Sequence, residues 1–339
     1  MKTRHAIRQV LMVLLLGATS ALHAADVTRY VLLTGSGEPG GEEVVERSGD
    51  GQVDVRYRYK NNGRGPELRE RYRLAPDGTF LSYEVTGAST MGSPVDERFT
   101  RKGGEAVWQS TSEQGRRQVE GSALYVPLNS SFEPASVGIA ALAKAPGGKL
   151  ALLPSGTLTQ RVVDEVDIES AGQKRRVRLL AQTGLGLTPS YYWATTDPVP
   201  RLFAAIYPGW LTAIEAGWEG NAATLTARQQ SAEGALLKEM ATSLRRPVRG
   251  LVALRNARVF DSETAKLGPP SDIYMLRDRI TAVVPAGTLA LPADTEIDAG
   301  GRIVLPGLFD MHTHFDRWDG GLHLAAGVTT VRDMGSNNA

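Results

Sequence analysis

There is no cysteine among the 339 residues of this chain. That absence excludes a disulfide framework, a thiolate metal site and a cysteine nucleophile together. Any metal has to rest on His, Asp, Glu or a modified Lys. Histidine is scarce as well, with five in all: His5, His23, His312, His314 and His323. An excess of charge of either sign is also missing. Lys plus Arg is 38 against 37 for Asp plus Glu, a net charge of +1, which gives no global field to gather nucleic acid. The longest apolar run falls far short of the roughly 20 residues of a membrane span, so neither a nucleic-acid binder nor an integral membrane protein is expected. What is present is ordinary: 42% hydrophobic and 22% charged residues, a globular composition. At roughly 100–200 residues per domain the length predicts two or three domains.

The N-terminus carries Lys2, Arg4 and Arg8, then the apolar run Val10 to Gly17, then small residues up to Ala24 and Ala25. This order predicts a cleavable signal peptide over residues 1–24 and a periplasmic or secreted mature chain. Leu22 at the −3 position departs from the pattern, which leaves an uncleaved N-terminal anchor as the alternative.

Residues 26–220 read as a mainly antiparallel β domain. Val53 to Lys60 alternates apolar and charged residues, the period of a half-buried strand. Asn61-Asn62-Gly63 is a turn signal, followed by a second alternating run from Leu68 to Leu74; Pro76-Asp77-Gly78 makes the next turn, into Phe80 to Thr86. Further strands are predicted at Val95 to Thr100, Ala106 to Ser110, Leu158 to Ile168 and Lys174 to Ala181. Such a meander suits a curved sheet with one wet face. Pro134 to Lys144 reads as a short buried helix, and residues 221–247 as a helix from an Asn221 cap to about Leu244, with Arg245-Arg246-Pro247 as a linker. Tyr191, Tyr192, Trp193, Trp210 and Trp218 are read as core rather than as a ligand platform. Arg69, Arg71, Arg73, Arg175 and Arg176 are read as the solvated face of strands.

Chemistry concentrates in Gly301 to Phe315, GRIVLPGLFDMHTHF. Ile303 to Leu305 reads as an apolar strand that bends at Pro306-Gly307. Residues two apart on a strand point the same way, so His312 and His314 present both imidazoles in one direction. Two imidazoles are half of a tetrahedral site. Spacing alone does not separate such a pair from a chance His-x-His.

The run Val304 to His314 resembles the opening of the amidohydrolase superfamily. The resemblance extends back through Leu251 to Asp261, Asp272 to Ile280 and Ile297 to Arg302, and forward through Ala325 to Gly335, about the last 90 residues in all. Gly327-Val-Thr-Thr-Val-Arg-Asp333 is most similar to the imidazolonepropionase and metal-dependent dipeptidase branch. Asp278 departs from the family's usual glycine in a turn, where Asp is tolerated. The resemblance implies a multidomain fold: the N-terminal β domain, a small β-sandwich segment over residues 248–302, and the first two strands of a (β/α)₈ TIM barrel over residues 303–339. It implies His312 and His314 as ligands of a divalent metal, zinc in one or two ions, with Asp310 orienting a ligating imidazole from behind. The metal-activated water would hydrolyse a C–N bond in a small-molecule amide, dipeptide or cyclic amide; deamination of a ring amine is the alternative chemistry. His323 is read as a surface or helix-facing residue, and Arg332 and Asp333 as a salt bridge or a pocket rim.

A complete barrel takes about 250 residues, and 36 follow Ile303. The expectation is therefore an N-terminal fragment of a longer exported hydrolase, inactive alone. Its catalytic Asp is expected beyond Ala339, with none in this chain. The alternative from a different class is a periplasmic ligand-binding or interaction module carried by the N-terminal β domain.

Overall fold

The computed structural model describes residues 26–335. The predicted signal peptide, with His5 and His23, lies outside the described residues, as does the segment ending at Ala339. These residues divide into two units, 26–185 with 191–222 and 186–190 with 223–335.

The first unit is built on β1 (Asp26–Thr34), β2 (Pro39–Arg47), β3 (Gln52–Tyr59), β4 (Glu67–Leu74), β5 (Phe80–Ala88), β6 (Pro94–Lys102), β7 (Glu105–Gln109), β8 (Gln114–Gln118) and β9 (Ala123–Tyr125). A helix α1 (Glu133–Lys144) follows, then β10 (Lys149–Leu153), β11 (Thr157–Ser170), β12 (Gln173–Thr183), β13 (Ser190–Thr195), β14 (Leu202–Tyr207) and β15 (Leu211–Glu215). All fifteen strands join one sheet in the order β8-β7-β6-β5-β4-β3-β2-β1-β15-β14-β13-β12-β11-β10-β9. Neighbours from β8 through β1 to β15 are antiparallel, whereas β9 and β10 run parallel.

Alternation explains the curl. Along β3, Val53, Val55, Tyr57 and Tyr59 are buried while Arg56 and Arg58 face water. In β4, Leu68, Glu70 and Tyr72 are buried between exposed arginines. One face is thus apolar over many strands, and the sheet buries it by rolling up on itself. The two ends of the roll meet through side chains. Tyr125 of β9 stacks on Phe99 of β6 at 4.5 Å and lies 6.4 Å from Trp108 of β7. Arg117 of β8 donates to the Pro154 carbonyl at 3.1 Å. Helix α1 starts with Pro134 in its first turn, where no N–H is needed, and its Val137, Ile139 and Leu142 join the enclosed core. Outside, Arg71 pairs with Asp54 and Arg176 with Asp167 on adjacent strands.

The aromatic residues read as core divide. Tyr191, Tyr192, Trp193 and Trp218 are buried, but Trp210 is 59% exposed. It sits in the tight turn Tyr207-Pro208-Gly209-Trp210, where its N–H returns to the Tyr207 carbonyl at 2.9 Å. Gly209 takes φ +75°, the value the third position of a type II turn needs. A residue at a turn tip has no facing strand to cover it.

The second unit contains α2 (Ala222–Leu244), β16 (Leu251–Asp261), β17 (Lys266–Leu276), β18 (Arg279–Pro285), β19 (Thr295–Asp298), β20 (Ile303–Val304), β21 (Leu308–Thr313), α3 (Asp319–Ala325) and β22 (Val328–Asp333). A five-stranded sheet runs β18-β17-β16-β19 with β20 also on β16, around a small core of Ala257, Ile273 and Ala299. Arg255 reaches Asp272 at 3.2 Å and Glu296 at 2.6 Å across it. No described helix is long and apolar enough to cross a membrane.

The expected fold class is overturned. The described residues form a mainly β protein: a 15-stranded mixed sheet, smaller sheets of five and two strands, and few helices. There is no TIM barrel and no repeated alternation of strand and helix among them. Ile303 and Val304, expected in the first barrel strand, pair in parallel with Arg258 and Val259 of the small sheet. β21 and β22 pair only with each other, and Leu308 and Phe309 are 51% and 67% exposed. A barrel strand is bonded on both sides and covered by a helix. The apolar texture of these segments specifies extended backbone and says nothing of which strand lies alongside.

Candidate functional site

The residues singled out from the sequence lie at the end of β21. His312 and His314 do come together: their ring centroids are 5.7 Å apart at 62°, and both side chains are exposed. Asp310 is turned elsewhere. One of its oxygens accepts the His312 backbone N–H at 3.0 Å, and the other lies 3.4 Å from Nε2 of His323. These bonds, the His312 amide first, hold its carboxyl below the usual range. The His323 ring stacks on Phe315 at 5.7 Å and sets its Nδ1 2.9 Å from the Asp319 carbonyl. A zinc centre takes three or four protein ligands. No group of three or more His, Cys, Asp or Glu side chains suited to a metal occurs among the described residues. The catalytic Asp expected beyond Ala339 falls outside the described residues too. Two exposed imidazoles do not make a metal centre by themselves, and no chemical step can be built on one here.

A more developed site lies in the first unit, at one end of the rolled sheet. It is a cleft of about 590 Å³ walled by Tyr57, Tyr59, Phe132, Tyr207 and Trp210, with Arg64 at its edge. Two turns deliver the edge residues. In Asn61-Asn62-Gly63-Arg64, the first and last residues exchange backbone hydrogen bonds at 2.8 and 3.0 Å. Asn62 and Gly63 take φ +49° and +74°, the pair of positive values a type I′ hairpin turn requires. The Pro208-Gly209 turn presents Trp210 opposite, and the Tyr59 hydroxyl donates to the Trp210 carbonyl at 3.3 Å, tying the two together. The rings form a chain: Tyr57 to Phe132 at 5.8 Å, Phe132 to Tyr207 at 6.2 Å, Tyr207 to Trp210 at 5.8 Å. Phe132, Tyr207 and Ser130 also wall a second, apolar chamber of about 240 Å³ that reaches Leu124, Leu158 and Tyr192. Exposed apolar residues ring this end, including Met91 at 74% and Leu128 at 54%.

The loop between β9 and α1, which carries Ser130 and Phe132, is held from beneath by buried carboxylates on alternate strands. Glu97 of β6 accepts the Tyr125 hydroxyl at 2.6 Å and the N–H groups of Leu128 and Asn129 at 2.9 and 3.4 Å. Glu70 of β4 accepts the Ser131 N–H, and Glu43 of β2 that of Phe132 at 3.1 Å. Glu133 accepts the Tyr72 hydroxyl at 2.6 Å and Arg47 at 2.7 Å. All four glutamates are at most 2% exposed. Burial is the largest influence on three of them: it pushes the Glu70 carboxyl up to about 7, Glu43 well above its ordinary value, and Glu133 upward against the pull of Arg47. Neither this cleft nor its carboxylate floor was singled out from the sequence. One signal was there: Glu70 and Glu97 fall in phase with Leu68 and Tyr72, and with Val95 and Phe99, so alternation alone places both inside.

No family model matches the chain. It is similar to an adenine deaminase of Chelativorans sp. (strain BNC1), 34% identical over 65 residues, which is 19% of this chain. The chain thus spans 11% of the length of that curated relative. Among solved structures it is similar to a β-barrel-like protein of domain of unknown function DUF1849 from Brucella abortus, with 12% identity and a TM-score of 0.38 over 57% of this chain and 95% of that one. A DUF1089 family protein from Pseudomonas aeruginosa matches with 14% identity and a TM-score of 0.26, over 51% and 87% of the two chains.

Proposed function

We propose that the rolled β unit is a ligand-binding module of an exported protein and that the aromatic cleft is its site. The observation that carries this reading is the convergence of Tyr57, of Phe132, and of Tyr207 with the 59% exposed Trp210, from three separate parts of the chain, on one cleft of about 590 Å³. Apolar cavities of roughly 300–1,000 Å³ with a few polar groups at the edge are the usual form of a small-molecule site. Exposed apolar side chains gathered around one cleft, here Trp210 and Tyr207 with Met91 and Leu128 nearby, mark a binding site where a single exposed ring would not. The test is binding of a neutral apolar dye, phenylnaphthylamine, to the full chain. Saturable binding that is lost in Trp210→Ala, with an unchanged melting profile, is the expected result. Binding that survives the substitution places the dye elsewhere and refutes the site.

A second reading rests on the 65-residue likeness to an adenine deaminase. In it the chain belongs to a metal-dependent hydrolase acting on a C–N bond of a small-molecule amide, a peptide or a ring amine, with His312 and His314 as two ligands of a zinc ion. Zinc titration tests this directly. Weak binding by the full chain that disappears when both histidines are replaced by Ala supports it, and no zinc binding at all sinks it.

A further inference from the structure

We propose that the cleft takes a single-chain amphiphile with a singly charged anionic head, a long-chain carboxylate, whose head sits on Arg64 and whose tail runs along the aromatic wall into the apolar chamber. This rests on the binding-module reading and names the ligand class of that same site.

The charge of the cleft sets the head. Of the residues lining it, only Arg64 is charged; its side chain is exposed and makes no ion pair among the described residues. The remaining polar edge is neutral: Asn61, Asn62, Thr90 and Ser130. The same turn holds a second cation, Lys60, whose ammonium is already bonded to the Gly65 carbonyl at 2.9 Å. A planar guanidinium matches a carboxylate with two parallel hydrogen bonds, and one free cation balances one negative charge. Aromatic walls of this kind also suit a quaternary ammonium, but a cationic ligand would meet Arg64 at the mouth with no acid on the lining to offset it.

The shape sets the tail. Trp210, Tyr207, Phe132 and Tyr57 make a chain of rings, with spacings of 5.8, 6.2 and 5.8 Å, that leads inward from the exposed Trp210. Phe132 and Tyr207 also face the second chamber, whose other walls include Leu124, Ala135, Gly138 and Leu158. Gly138 lets α1 lie close against this wall: a Cβ there would come 3.2 Å from Leu124 and 3.6 Å from Leu158. A cleft with one cation on its lining, sharing Ser130, Phe132 and Tyr207 with a chamber walled by aliphatic side chains, has the polarity of an acyl carboxylate.

The experiment displaces phenylnaphthylamine from the full chain with octanoate, decanoate and dodecanoate, and with dodecyl phosphate and dodecyltrimethylammonium at the same chain length, all below micelle formation. The expected result is displacement by the carboxylates, tightening about fourfold per methylene, with the ammonium at least tenfold weaker. Arg64→Glu, at an exposed turn where folding is not at stake, is expected to reverse the order of carboxylate and ammonium. Ala135→Leu, which fills part of the chamber, is expected to remove the gain from decanoate to dodecanoate while octanoate is unaffected. If the dye binds but carboxylate and ammonium displace it equally, or Arg64→Glu leaves their order unchanged, the ligand class is wrong and the module reading stands. Tenfold stronger displacement by dodecyl phosphate assigns the head to a phosphate and overturns the carboxylate. If neither the dye nor any amphiphile binds, both readings fall.

Discussion

Glu70→Gln is expected to abolish part of the protein's pH dependence of stability. Glu70 is 2% exposed on the inner face of β4 and accepts the Ser131 N–H. Burial, and less strongly Glu133, lift its carboxyl from an ordinary 4.5 to about 7. A carboxyl that keeps its proton to higher pH when folded stabilises the fold fully below about pH 4.5, and that contribution is lost as the pH rises through about 7. At about 1.4 kcal/mol per pKa unit, ionising the group inside costs about 3 kcal/mol. Glutamine is shaped like the protonated form and never ionises. Near pH 5 the variant should match the native chain to within about 1 kcal/mol; near pH 8.5 it should be more stable by about 2–3 kcal/mol. Glu43 loses one of the two neighbouring carboxylates that raise it, so its own titration moves down and adds to the same flattening. The assay is urea denaturation across this pH range, followed by tryptophan fluorescence, to which the buried Trp108, Trp193 and Trp218 of this unit contribute. Parallel curves for the two proteins would refute the reasoning, because they would mean that Glu70 is ionised in the fold at no cost.

Glu97→Gln carries the opposite expectation. Its two oxygens accept the Tyr125 hydroxyl and the Leu128 and Asn129 N–H groups, and an amide turned into that site faces donors with a donor. A loss of about 2–4 kcal/mol should appear in the urea midpoint at neutral pH, with new protease cleavage between Pro127 and Phe132. Gly209→Val forces a branched side chain into φ +75°, and should cost about 1–3 kcal/mol in denaturation while weakening dye binding by moving Trp210. Replacing His312 and His314 together by Ala should leave stability within about 0.5 kcal/mol in the same assay, since both are exposed. A larger loss would show that the pair packs rather than waits for a ligand.

Alternation in Val53–Lys60, Leu68–Leu74 and Val95–Thr100 was enough to read these as strands, and Asn62-Gly63 and Asp77-Gly78 as the turns between them, because side-chain period and turn dihedrals are local properties. The pairing of His312 with His314 was legible for the same reason: two residues apart on a strand is a local distance. The 65-residue likeness to a deaminase also lives at that level. Tertiary structure decided which strands lie together. Fifteen strands roll into one sheet, Ile303 and Val304 join β16 rather than a barrel, and Phe99 finds Tyr125. The cleft is the clearest case, since Tyr57, Phe132 and Trp210 come from distant parts of the chain and each alone reads as core. Only the curl of the sheet, driven by burying its apolar face, leaves Trp210 uncovered at a turn and sets buried carboxylates from alternate strands beneath one loop. Those are consequences of pairing across the whole chain, which no stretch of local sequence contains.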